Sequence, residues 1–394
     1  MKNFIIPRLP LTHLTLSLAA CFFVFPSCDD ISREEVLSQT GTSDSEVILQ
    51  VSPESVARML SALPLTLDQV REVKTAVDAS SANGYDEEYP FSLIFSSPGT
   101  GVGDGITSTK ADLEDPLSIR GLIREYASKT QTRSGDFVSE LAASSLQIYW
   151  PYSDSWDHQT FPVVTFVPSD GRERNVGFIS ETLPDGSRIV KEMMVDETYA
   201  MSHPVWVVNF NHDAGALTPQ MLSKKLPQVL QTTKSSNSFK TLKLKEFKAH
   251  RQYDPWLSGG SEFFIKMGSL KAFTADGVAD LKLYNPEITD LMIKVKRGQV
   301  GRAMRYNTIL VSDWSDQLDE CAFMLTEDDG GKMTSWKANG TVKIKSKSYG
   351  FEVEIPYHRN DDIVWRGKLS SGYFQRYNGT PNRFGDVSLT FTFD

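Results

Sequence analysis

Cysteine is scarce in this chain. There are three in 394 residues, at positions 21, 28 and 321. Two of them fall in or just after the N-terminal apolar stretch, so the body of the protein keeps only Cys321. No intramolecular disulfide framework can support such a fold. Histidine is also thin, with six in all, and none forms a His-x-x-x-His pair or a Cys/His cluster. A zinc site is therefore not signalled. No Gly-x-Ser-x-Gly nucleophile elbow occurs; Gly259-Gly260-Ser261-Glu262 lacks the closing glycine. The glycine-rich run Pro98–Gly105 is followed by Ile106-Thr107-Ser108, not by the Lys-Ser/Thr of a phosphate loop. Beyond residues 11–25 no long apolar run exists that would span a membrane.

What is present begins at the N-terminus. Lys2 and Arg8 precede an apolar stretch from Leu11 to Phe25, which reads as an export signal. Two cysteines compete for the processing point. Leu18-Ala19-Ala20-Cys21 fits the aliphatic-small-small-Cys pattern more closely. Cleavage there would leave Phe22-Phe23-Val24-Phe25 at the new terminus, so Cys28 is taken as the acylated residue, with Cys21 as the alternative. Removal of residues 1–27 takes away Lys2 and Arg8 and shifts the net charge from -9 to -11. An acidic mature chain argues against nucleic acid as a partner.

Periodicity divides the remainder. Residues 28–47 are Ser, Thr and acid-rich and read as a tether. The interval 48–144 is predicted to be helical. Ser52 followed by Pro53 marks one start, Thr66 with Gln69 has capping-box spacing, and further helices are expected from Asp115-Pro116 and from Asp136. From about 145 the period becomes two, and 145–212 reads as a middle β-domain of five strands. The interval 213–239 reads as a linker. Residues 240–394 alternate clearly, are expected to form an antiparallel β-sandwich, and are expected to fold alone. The overall expectation is a mainly β protein with a small helical N-terminal region.

Within the last region a hairpin is predicted around a four-residue loop, Lys347-Ser348-Tyr349-Gly350. That register sets Lys345 opposite Glu352 and Lys343 opposite Glu354. The lysine-rich stretch 224–251 is interleaved with Leu242, Leu244 and Phe247 and reads as the solvated face of a strand. Tyr85-Asp86-Glu87-Glu88-Tyr89 reads as a solvated acidic loop. Cys321, inside an apolar run, reads as an inert buried thiol. Asn209-Phe210-Asn211-His212-Asp213 is the most acid/base-like cluster, though polar residues after a strand are commonly turn formers. Trp256, Trp314, Trp336 and Trp365 are stacking platforms for a glycan if exposed, and core residues if buried.

Two resemblances follow from particular segments. Gly350–Glu354, Asn360–Val364 and Gly367–Leu369 resemble calcium- and lipid-binding sandwiches of the synaptotagmin type, in which a strand leads into an acidic loop. The resemblance implies a sandwich and makes Asp361 and Asp362 candidate calcium ligands. Counting back from Asp362 puts Glu354 and Pro356 where the first two ligands belong, and calcium takes about six to eight oxygens. Asp313, Asp316, Asp328 and Asp329 are the acids available from neighbouring loops. Second, Ser27-Cys28-Asp29-Asp30, Gln147–Ser153, Pro162–Phe166, His203–Val208 and Trp256–Glu262 resemble an uncharacterised family of Bacteroidota-type envelope lipoproteins. That resemblance implies an outer-membrane location through a lipid anchor and modular β architecture, and no activity. The functional expectation is a binding or structural role with a glycan, a partner protein or an assembly; the alternative is a hydrolase whose site is scattered in sequence. No cofactor is required by any motif, calcium being the one candidate, and neither metal dependence nor hydrolytic turnover is expected.

Overall fold

The computed structural model describes residues 50–96, 116–130, 134–213, 215–225 and 239–394. Cys21, Cys28 and the glycine run 98–105 lie outside them. The fold is mainly β, with three sheets and a small helical region ahead of them.

The first two helices form where their caps predict, whereas those expected from Asp115-Pro116 and Asp136 begin at Ile119 and Ser134. Helix α1 (Pro53–Ala62) starts at Ser52, whose side chain accepts the Ser55 amide. In α2 (Leu67–Ala82) the Gln69 carboxamide reaches back to the Thr66 amide. Helices α3 (Phe91–Phe95), α4 (Ile119–Thr130) and α5 (Ser134–Ala143) complete the layer. They cover one face of a six-stranded sheet. Its strands are β1 (Glu88–Pro90), β2 (Leu146–Tyr149), β3 (Val163–Phe166), β4 (Asn175–Thr182), β5 (Arg188–Val195) and β6 (Val205–Phe210), in the order β1-β2-β6-β3-β4-β5. Only the β3–β6 contact is parallel. The five strands expected between 145 and 212 are all present, and β1 joins them as an edge. Strand β6 is apolar on both faces because both are covered. Trp206 and Val208 pack with Val56, Val73 and Ile123 under the helices, while Val205 and Val207 pack on the opposite face with Trp256 and Leu257.

Those last two residues belong to the C-terminal body, a sandwich. One sheet has β10 (Met304–Trp314), β7 (Lys240–Ala249), β16 (Val387–Phe393) and β15 (Pro381–Phe384). The other has β14 (Asp362–Ser370), β11 (Leu318–Glu327), β8 (Ser261–Ser269) and β9 (Glu287–Val295). Leu242, Leu244 and Phe247 of β7 face Phe263, Ile265, Leu291 and Phe323 across the core. The lysines between them lie on the outer face, as the alternation predicts. Cys321 is fully buried here, and burial pushes its thiol up to about 12.

The hairpin β12 (Met333–Ile344) with β13 (Lys347–His358) is joined to the sheet at Leu318 and Glu320 and lies over its outer face. Gly268 of β8 permits this approach, because a Cβ there would stand 2.7 Å from the Val353 methyls. The predicted hairpin register is wrong. Ile344 pairs with Lys347, and the turn is Lys345-Ser346 with Lys345 at φ 57°. Lys337 therefore meets Glu354 at 3.1 Å, and Lys343 pairs with Asp319 at 2.8 Å. The slip is an even number of residues, so both registers bury Val342, Ile344, Phe351, Val353 and Ile355. A period of two cannot distinguish them.

Among the described residues no helix is long and apolar enough to cross a membrane.

Candidate functional site

The open end of the β8–β11 sheet meets the first sheet along a charged seam. A loop from Arg251 to Gly260 plugs into the first body. The Trp256 indole donates to the Glu173 carbonyl at 2.6 Å, and the Asn209 carboxamide donates to the carbonyls of Leu257 and Ser258. Gly260 donates its amide to Asp86 at 2.7 Å. Gly259 holds φ +126°, which a β-carbon disfavours, and a Cβ there would also stand 3.1 Å from the Asp86 carboxylate. The segment Arg251–Gly260 is thus a docking loop.

Lys294 is the hub of the seam. It sits on β9 with Met292 on the face opposite Leu291 and Ile293, and its side chain is 4% exposed. The ammonium contacts Glu262 directly and lies 3.6 Å from Asp213 and 3.8 Å from Asp86. Burial alone would lower its pKa, but Asp213, Asp86 and Glu88 around it raise it. Beside it, the Asn211 carboxamide donates to Glu88 and Gln147, and burial followed by Asp213 holds Glu88 well above the usual carboxylate range. On the same seam Arg297 makes a two-pronged contact with Glu197, at 2.8 and 3.0 Å.

The acidic run Tyr85–Tyr89 is not the solvated loop its composition suggests. Asp86, Glu87 and Glu88 are all buried, at 1%, 6% and 4% exposure. They are held by β1 pairing with β2 and by donors from the C-terminal body: the Gly260 amide and Lys294, with Lys296 at 3.9 Å from Glu87.

Glu87 makes a clean pH prediction. Burial first, then Asp86 and Asp154, raise it to about 7 against the pull of Lys296 and the Ser153 hydroxyl. Between about pH 4.5 and 7 the folded state keeps a proton that the unfolded chain has released, so stability falls as pH rises through that window. Glu87→Gln should remove the fall. At pH 8 the variant is expected to be up to about 3 kcal/mol more stable than wild type, with no gain at pH 4.5. Urea denaturation at the two pH values measures it. An equal loss at both would mean that Glu87 acts as a charged partner of Lys296.

A cavity of about 150 Å³ opens at the seam, lined by Asn209, His212, Asp213, Asp254, Glu262 and Lys294 with Asp328 and Asp329 at its edge. Two acid groups gather there. Asp254, Glu262 and Glu327 each present an oxygen within 4.8 Å of the others, and so do Asp328, His358 and Asp361 with one ligand atom each. In the first, burial and then Asp254 push Glu327 up to about 10, and burial raises Asp254. In the second, burial alone would raise Asp328, but the Gly330 amide at 2.8 Å and the His358 imidazole at 2.9 Å, both donating to it, hold it low. Burial and the neighbouring Asp328 raise Asp361 to about 7.

The sequence candidates fall as follows. Asp361 is in the second group, and the adjacent Asp362 is exposed at the start of β14, paired in register with Glu327. Asp328 and Asp329 are at the cavity. Asp313 and Asp316 precede β11 while Asp328 follows it, about 30 Å away along the strand. Asn209, His212 and Asp213 all line the cavity. Trp256 and Trp314 are buried, and Trp336 and Trp365 are half-buried against apolar neighbours. Glu262, Glu327, Asp254 and Lys294 were not singled out as site residues. Lys294 carried the one available signal, a lysine beside Met292 inside an apolar strand, which requires buried acids to receive it.

No protein-family model matches this chain, and no curated protein matches it.

Proposed function

We propose that this is a lipid-anchored protein of the cell envelope, held to the outer membrane through Cys28, whose folded part binds a ligand in the seam cavity. The observation that carries the binding role is the convergence at one opening of side chains from six separate segments, including the buried Lys294 and the exposed His212 and Asp329. The anchor rests on the apolar stretch before Cys28 and the acidic tether after it. Glycans and partner proteins are the ligand classes to test. His212 and Asp329 are exposed, so His212→Ala and Asp329→Ala are expected to leave the fold intact and weaken capture of the ligand on a glycan array or by a cross-linked partner. Unchanged capture in both variants would place the ligand elsewhere.

Cys28→Ala should move the protein out of the membrane fraction and abolish incorporation of labelled fatty acid. A mature mass acylated at Cys21 would overturn the assignment.

One observation favours a second reading, a hydrolase. Burial and Asp254 raise the proton affinity of Glu327, while the Gly330 amide and the His358 imidazole lower that of Asp328, next to it in sequence. Carboxyl groups with separated proton affinities suit acid–base catalysis. Turnover of chromogenic glycosides or esters that is lost in Glu327→Gln would select this reading; absence of turnover leaves the binder.

A further inference from the structure

Glu327 ends β11 beside the cavity, next to the lining residue Asp328. Its side chain is fully buried, and neither carboxyl oxygen has a donor at regular hydrogen-bond geometry, although it interacts with the Asp254 carboxyl and the Ser261 hydroxyl. Asp254 Oδ2 is likewise buried without a donor. These two acids and Glu262 come from three segments: the docking loop, the end of β11 and the start of β8. Each still directs an oxygen to a common point, within 4.8 Å of the other two. The local charge does not close within the protein. Asp254 and Glu262 face one ammonium, Lys294, which Asp86 and Asp213 share. Arg297 donates to the Asp254 carbonyl, but its charge is taken by Glu197.

We propose that Asp254, Glu262 and Glu327 bind a hard divalent cation of the calcium, magnesium and manganese class beside the seam cavity. An all-carboxylate donor set selects calcium, magnesium or manganese over zinc or copper, because no nitrogen or sulfur takes part. A dication supplies positive charge where a single ammonium serves several buried acids. It also gives the Glu327 oxygens a cationic partner. The neighbouring Asp328–His358–Asp361 group is already closed largely on itself. Asp328 accepts from Gly330 and His358, Asp361 accepts the His358 amide, and Asp361 Oδ1 alone lacks a donor. The inference rests on the seam cavity being the ligand site, and it places the cation at Asp254, Glu262 and Glu327, not at the sequence candidates Asp361 and Asp362.

The test is calorimetric titration of the purified full chain, stripped with chelator, using calcium, magnesium and manganese chlorides, with melting curves alongside. One saturable site and a higher melting temperature with the bound ion are expected. Glu327→Gln should weaken binding by at least about tenfold. The metal-free Glu327→Gln protein should melt no lower than wild type, because a buried carboxyl without a regular donor has been removed; this separates a lost ligand from a lost fold. Asp361→Asn should bind as wild type does. Wild-type heats that do not saturate, Glu327→Gln binding at full affinity, or binding lost in Asp361→Asn would each overturn the proposal. Loss of the cation site leaves acylation at Cys28 and ligand capture through His212 and Asp329 to be read independently, so the two failures are distinguishable.

Discussion

Lys294→Met is expected to cost about 3–5 kcal/mol of unfolding free energy at neutral pH. Methionine matches the length and apolar stem of lysine, so packing against Met292 and the docking loop is largely kept. The ammonium is lost. Among the described residues Asp213 Oδ2 then has no partner, since Lys294 is the cation that pairs with it there and it receives no hydrogen bond. Glu262 loses its direct ion contact, and Asp86 keeps only the amides of Gly260 and Glu87. The cost is that of stranded buried charge, not of a lost contact. The double variant Lys294→Met/Asp213→Asn should therefore recover part of the loss, although it carries one more substitution. Guanidinium denaturation of the three proteins reads the coupling directly. If the single variant matches wild type, or the second substitution adds to the damage, Lys294 is not the neutralising centre of the seam.

The same residue marks the boundary of what the sequence discloses. Helices α1 and α2 are legible because caps are local: Ser52 with Pro53, and Thr66 with Gln69, act within one turn. The strands from 146 to 210 are legible because β-branched runs broken by Pro, Gly and Asp leave few alternatives. The β12–β13 register is not legible. An even slip preserves every buried side chain, and a Lys-Ser turn with a positive φ at Lys345 carries none of the usual hairpin chemistry. The site is legible only in pieces. Asn209, His212 and Asp213 stand together in the chain and remain together in space. Asp361 and Asp362 are neighbours in sequence, yet one faces His358 and the other faces solvent. Asp86–Glu88 read as solvated because a run of acids normally is; burial is tolerable through donors supplied from residues 153, 211, 260, 294 and 296, which no local pattern announces. Long-range neutralisation is a property of the assembled seam.

Trp256→Ala is expected to cost about 3–5 kcal/mol, and unevenly. Trp256 belongs by sequence to the C-terminal body, but its ring is fully buried among Tyr149, Val163, Val205 and Val207 of the first sheet. Truncation leaves a cavity there and strands the Glu173 carbonyl that the indole serves. The buried residues of the sandwich core run from Leu242 to Phe393, and none comes from the first sheet. That core should hold, in line with the expectation that residues 240–394 fold alone. Hydrogen exchange should therefore show faster opening in β2, β3 and β6, with protection in β8, β11 and β16 retained. The fragment 240–394 is the companion measurement. It should melt cooperatively while exposing Trp256, Leu257 and Lys294, and so bind a hydrophobic dye more strongly than the full chain. Uniform loss of protection across both bodies in the Trp256 variant, together with a molten fragment, would mean that the seam is part of one indivisible core. Less than about 1 kcal/mol of destabilisation would mean that the loop is laid over the sheet without supporting it.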